Sequence, residues 1–113
     1  MPDTNRPNDF FVAENNATAQ TNNVLIAAPA VSGRRICITG IIFSSVDAGN
    51  IKLVEDPAGT PVEVIPPIYV GATGGISAAY FSKPKKLTAN TALGFTSATV
   101  SNHTVIVMGF YEP

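Results

Sequence analysis

Residues 34–46 read RRICITGIIFSSV, and this stretch decides the fold. It is rich in β-branched residues and is longer than the usual strand of 5–6 residues. Strict alternation puts Ile36, Ile38, Gly40 and Ile42 on one face, and Cys37, Thr39, Ile41 and Phe43 on the other. Residues 104–111 (TVIVMGFY) behave the same way, with Val105, Val107, Gly109 and Tyr111 opposed by Ile106, Met108 and Phe110. A strand in a two-sheet sandwich ordinarily shows one apolar and one polar face. Two strands apolar on both faces need cover on both, and one small sandwich has one interior. A face of three such side chains holds about 300 Å² of apolar surface, worth about 7 kcal/mol at ~25 cal/mol per Å². The N-terminal arm, a sister subunit or a larger partner must supply the cover; a sister subunit is the expected one, with Ile41, Phe43, Val105, Val107 and Tyr111 at the subunit interface.

The rest of the chain from Val24 onward reads as strands and turns. Val24–Ala27 is a short strand ended by Pro29, and Asp47-Ala48-Gly49-Asn50 is a turn before the alternating Ile51–Glu55. Pro61–Ile65 and Ile68–Val70 are separated by Pro66-Pro67, which removes ladder donors and confines the segment to an edge or a corner. Ile76–Ser82, a stub at Leu87-Thr88, Leu93–Val100 and Thr104–Tyr111 complete the set. No stretch keeps a helical period. The expected fold is all-β: an antiparallel β-sandwich, jelly-roll-like, of about eight strands over residues 24–113. Residues 1–23 hold six asparagines and two prolines and read as an extended N-terminal arm. Within it Phe10-Phe11-Val12 is an apolar plug expected to bind a partner, or else to fold back on its own domain.

Composition narrows the function. At 113 residues the chain is one domain and buries roughly 65% of its unfolded surface. Charged residues make up 13% and the net charge is −1, so there is no basic excess for phosphates and no nucleic-acid partner is expected. No apolar run approaches the ~20 residues of a membrane helix, and residues 1–23 lack the pattern of a secretion signal; no membrane partner and synthesis in a cytoplasm are expected.

The chemistry-bearing residues are few. His103 is the single histidine and has no recognisable nucleophile elbow or orienting carboxylate near it in sequence. Cys37, the single cysteine, excludes an internal disulfide and lies within an apolar strand, where an inert thiol is expected. Glu55 and Asp56 are adjacent, so they point apart, and with Asp47 and Glu63 they form no calcium-loop spacing. Gly71, Gly74 and Gly75 lack the Lys-Ser or Lys-Thr of a phosphate loop. Lys83, Lys85 and Lys86 flank Pro84 as the one basic cluster. Tyr69, Tyr80 and Phe81 offer aromatic surface for a sugar, although core packing accounts for them as well. Asn16-Ala17-Thr18 and Asn102-His103-Thr104 match the glycosylation triplet by chance if the chain is not secreted. No catalytic residue, cofactor or metal is expected, and the chain is not expected to be an enzyme.

The run APAVSGRRICITGIIFSSVDAGNIKLVEDPAGTPV resembles the small jelly-roll proteins of tailed bacteriophage virions. The shared features are an apolar strand, a small-residue turn, a basic residue, a long β-branched strand, an Ala-Gly turn and a short strand. The Gly74-Gly75 loop, Tyr80-Phe81 closing a strand, and Tyr111 near the end are similar too, so the resemblance spans residues 24–112. It implies a capsid decoration (cement) protein, commonly a homotrimer, that sits on the outer capsid and clips major capsid subunits together. It equally admits a tail or head-fibre component. The composition alone also admits a carbohydrate-binding sandwich.

Overall fold

The computed structural model describes residues 9–98 and 101–112. Eight strands run through them: β1 (Asp9–Asn16), β2 (Gln20–Ile26), β3 (Arg35–Ser45), β4 (Gly49–Glu55), β5 (Val62–Val70), β6 (Gly75–Lys86), β7 (Leu93–Ser97) and β8 (His103–Glu112). They form two four-stranded sheets, ordered β1-β8-β3-β6 and β2-β7-β4-β5, with antiparallel pairing throughout. Consecutive strands alternate between the sheets for the first four, and the return strands interleave. This is the double Greek-key order of a jelly roll. The expected all-β jelly roll is the fold observed.

The arm is the first correction. Residues 9–23, expected as an extended tether, lie largely in β1 and β2, inside the two sheets. β1 pairs along its whole length with β8, from Asp9↔Phe110 to Asn16↔His103. The asparagines mask an ordinary alternation: Phe10, Val12 and Glu14 turn inward while Phe11, Ala13 and Asn15 turn out. Residues 1–8 of that arm lie outside the described residues.

Smaller differences have simple causes. Pro66-Pro67 does not break β5, because β5 is an edge strand and needs no ladder donor on its free side. Leu87 is buried after β6 and donates its N–H to the Ile36 carbonyl without making a strand of its own. The strand expected to Val100 is seen to Ser97, and Thr99 and Val100 lie outside the described residues.

The decisive feature is a bulge in β3. Against β8, Ile38 pairs with Gly109 and Gly40 with Met108, which are consecutive residues, so Thr39 is supernumerary. On the other side four residues of β6, 81–84, stand opposite that same Thr39. One extra residue flips the side-chain phase. Ile36 and Ile38 point inward before the bulge, and Ile41, Phe43 and Ser45 point inward after it. The core is thus Ile36, Ile38, Ile41, Phe43, Val105 and Val107 from one sheet against Ile51, Leu53, Ile65, Leu93 and Phe95 from the other. Four of the five expected interface residues (Ile41, Phe43, Val105 and Val107) have no exposure at all and pack inside their own sandwich. That expectation is corrected: the strand is not apolar on alternate faces from end to end, because the alternation changes phase in its middle.

Candidate functional site: the outer face of the four-stranded sheet

With the phase corrected, the outward face of β1-β8-β3-β6 can be read row by row across all four strands. One row runs Phe11, Met108, Gly40, Tyr80. The next runs Ala13, Ile106, Ile42, Ala78, and the one beyond it Asn15, Thr104, Ser44, Ile76. On the other side lies Asp9, Phe110, Cys37, Lys86. Phe11 is 66% exposed, Tyr80 69% and Ile76 74%, while Ile42, Ile106, Met108 and Phe110 are half-buried. Gly40 leaves the centre of the face low: a Cβ there would meet the Tyr80 ring at 2.9 Å and the Met108 methyl at 3.2 Å, so those two side chains close over it.

The outer face of the second sheet is different in kind. Lys52 and Thr96 stand opposite each other there, and the Asn22 N–H donates to Thr96 Oγ1 at 2.9 Å. Asn50 faces Tyr69 on the edge. Lys52, Thr96 and Asn22 mark the middle of this side, with Tyr69 exposed at its edge, whereas the middle rows of the other side are methyl and aromatic groups. Isolated exposed apolar residues are ordinary on a soluble surface; a contiguous cluster at a sheet face marks an interaction surface.

The expected plug is divided by this geometry. Phe11 belongs to the apolar outer face. Phe10 and Val12 pack against the core, and Phe10 tilts against Tyr111 with ring centroids 5.3 Å apart. Tyr111 is also engaged from the other side by the Arg34 guanidinium, 5.1 Å from its ring centre. Its partners are therefore in its own chain.

The remaining candidate residues have structural roles. His103 is 2% exposed, on the inner face of β8. Its Nδ1 donates to the Ser101 carbonyl at 2.8 Å, its Nε2 is hydrogen-bonded to Ser97 Oγ at 2.9 Å, and Ser97 Oγ accepts in turn from the Gln20 N–H. That chain ties the two sheets together at one end of the sandwich. Cys37 is buried on the outer face below Lys86 and Glu112; burial first, and then the Glu112 carboxylate, pushes its thiol up and keeps it protonated. Glu55 accepts from the Thr88 N–H, and Asp56, at φ 54°, accepts from the Thr60 N–H in its turn. Tyr69 and Tyr80 sit on opposite outer faces and Phe81 packs inward, so the three build no common platform. Among the described residues no three metal-ligating side chains gather, and no helix is long and apolar enough to cross a membrane.

An open groove of about 710 Å³ lies beside β6, lined by Ile65, Phe81, Lys83, Pro84, Lys85 and Lys86. Lys86 Nζ donates to Glu112 Oε1 at 2.9 Å. Lys83 and Lys85 make no ion pair among the described residues.

No family model matches the sequence, and no curated protein matches it. Solved structures with a similar chain path do exist. The extra small virus of the giant freshwater prawn Macrobrachium rosenbergii, seen as a virus-like particle, is 9% identical over 100% of this chain and 84% of its own, with a TM-score of 0.41. The nucleoplasmin-like N-terminal domain of Drosophila FKBP39 is 11% identical over 94% and 93%, with a TM-score of 0.42. The Tobacco streak virus coat protein, solved as a dimer, is 15% identical over 98% and 91%, with a TM-score of 0.36. The jelly-roll assignment stands on the strand order of this chain, to which these similarities add neither residue roles nor partners.

Proposed function

We propose that this chain is a structural virion protein, a capsid decoration (cement) protein that binds the outer capsid as a homotrimer and stabilises contacts between major capsid subunits. The observation that carries this reading is the apolar outer face of β1-β8-β3-β6, with Phe11, Ile76 and Tyr80 exposed around Ile42, Ile106 and Met108. A cement protein works by burying surface against its own copies and against a shell, and this face provides contiguous apolar area, with its polar groups, Asn15 bonded to Thr104 and Lys86 to Glu112, at the two ends. The low charge of the chain leaves little self-repulsion to oppose such packing. Phe11 takes the partner-binding part first expected of Phe10, Phe11 and Val12 together. The resemblance to small jelly-roll proteins of phage virions supports the capsid setting.

Light scattering tests the assembly: about three times 11.8 kDa is expected, and a monomer at every concentration would sink it. Electron microscopy of virions that carry the protein tests its place. Density over the outer shell is expected, whereas density confined to the tail or to head fibres would replace cement with a tail or fibre role.

A further inference from the structure

We propose that copies of this chain associate edge to edge, the β1 edge of one copy pairing antiparallel with the β6 edge of the next; this rests on the homo-oligomeric reading above and names its contact. In the sheet β1-β8-β3-β6, β1 and β6 are the two outer strands, and among the described residues neither pairs with a further strand. Three successive antiparallel steps make β1 antiparallel to β6. A like-oriented neighbour therefore brings its β1 to β6 in the direction that an antiparallel ladder requires.

The levels match as well as the direction. Phe11 lies level with Tyr80 and Ala13 with Ala78, and beyond the bulge, where β6 carries four more residues than β1, Asp9 comes level with Lys86. Placed side by side without slip, Phe11 of one copy meets Tyr80 of the next, two exposed rings on the same face. Asp9 then falls at the end of β6 that carries Lys83, Lys85 and Lys86. The two edges are opposite in charge. Asp9 has no ion-pair partner among the described residues, and neither have Lys83 and Lys85. Exposed edges attract strands, and lysines on an edge usually deter them. Here a carboxylate at the matching level converts the same lysines into a selective contact, because a second β6 would bring lysine instead of aspartate. Such a contact is heterologous, so it closes into a ring when the turn between copies permits.

Cysteine pairs test this. Within one chain, positions 11 and 80 are three strand spacings apart, about 14 Å, too far for a short bifunctional maleimide. Phe11→Cys and Tyr80→Cys are exposed sites, so folding is expected to survive, and wild type with its buried Cys37 is the control. Edge pairing predicts no cross-linked product from either single variant and covalent multimers from the double variant. Like-with-like products from a single variant, or none from the double variant while light scattering still reports an oligomer, would overturn the edge contact and leave the oligomer standing. A monomeric mass for the wild type would overturn both. Charge reversal gives an independent check: Asp9→Lys alone, or Lys83→Glu with Lys85→Glu, is expected to weaken association several-fold, and combining them to restore it. Unchanged association in both variants would mean that the lysines only guard the edge.

Discussion

The Thr39 hydroxyl donates to the carbonyl oxygen of Met108 at 3.2 Å, at the point where β3 carries one residue more than β8. The bond anchors the extra residue and holds the phase change that sends Ile36 and Ile38, and then Ile41 and Phe43, to the same side. Removing Thr39 makes Ile38 and Gly40 consecutive, as their partners Gly109 and Met108 already are, so the ladder closes and Ile36, Ile38, Ile41 and Phe43 all stay inward. Deletion of Thr39 is therefore expected to keep cooperative unfolding in urea, and its loss would show that the bulge itself is required. Thr39→Val keeps the bulge and loses only the hydroxyl bond, so it is expected to lower stability by about 1 kcal/mol.

Gly109 is required by the same irregularity. A Cβ on it would overlap the carbonyl of Cys37 and stand 2.8 Å from the Phe10 ring. The obstacle is backbone within the ladder, which cannot swing aside as a side-chain tip can. Gly109→Ala is expected to destabilise by about 1–3 kcal/mol, or more if the ladder must part, as read from the urea midpoint at constant slope. Gly40→Ala is the contrast: its neighbours are the ends of Tyr80 and Met108, which can move, so a smaller loss is expected.

The His103–Ser97 bond crosses the sandwich interior. Ser97→Ala leaves both His103 Nε2 and the Gln20 N–H without their partner in a buried setting. A loss of about 1–3 kcal/mol is expected in chemical denaturation. His103→Ala adds a cavity beside Phe43, whose ring lies 6.0 Å from the imidazole, and is expected to cost more than Ser97→Ala.

Lys86 and Glu112 make the stability depend on pH at both ends. The Lys86 hydrogen bond holds the Glu112 carboxyl below its ordinary range, so its stabilising effect is complete above that range and is lost as pH falls through the depressed value. The bond to Glu112 also raises Lys86, whose contribution is complete below the ordinary lysine range and is lost as pH rises past the raised value. The melting-temperature difference between wild type and Glu112→Gln is therefore expected to be flat near neutrality and to vanish towards both extremes. The pair is solvent-exposed, so the plateau is expected to be small and to shrink in salt. A difference that persists unchanged into strong acid would remove Glu112 ionisation as its cause.

Much of the strand inventory is legible locally because each strand carries its own signal. β3 and β8 are marked by β-branched runs and turn residues within one residue of their observed ends, and β4 within two. β1 is not, since an edge strand buried on one side needs few apolar residues, and Phe10 and Val12 suffice. Asparagine in β1 and β2 is tolerated because its amides find partners, as Asn23 does with Glu14 and Gln20, and Asn15 with Thr104. The interaction surface is legible only by its existence. Too many apolar residues for one interior is a matter of counting, whereas which of them face out depends on a phase that the bulge resets.

Periodicity, turn residues and the apolar share determine by themselves an all-β sandwich with apolar surface left over. Tertiary pairing alone decides that Ile41, Phe43, Val105 and Val107 form the interior, and that Phe11, Ile42, Ile106 and Tyr80 form the surplus face. The physical reason is that a bulge has almost no composition of its own. Thr39 is an ordinary strand residue, and only the two neighbouring ladders, β8 on one side and β6 on the other, make it the one without a partner.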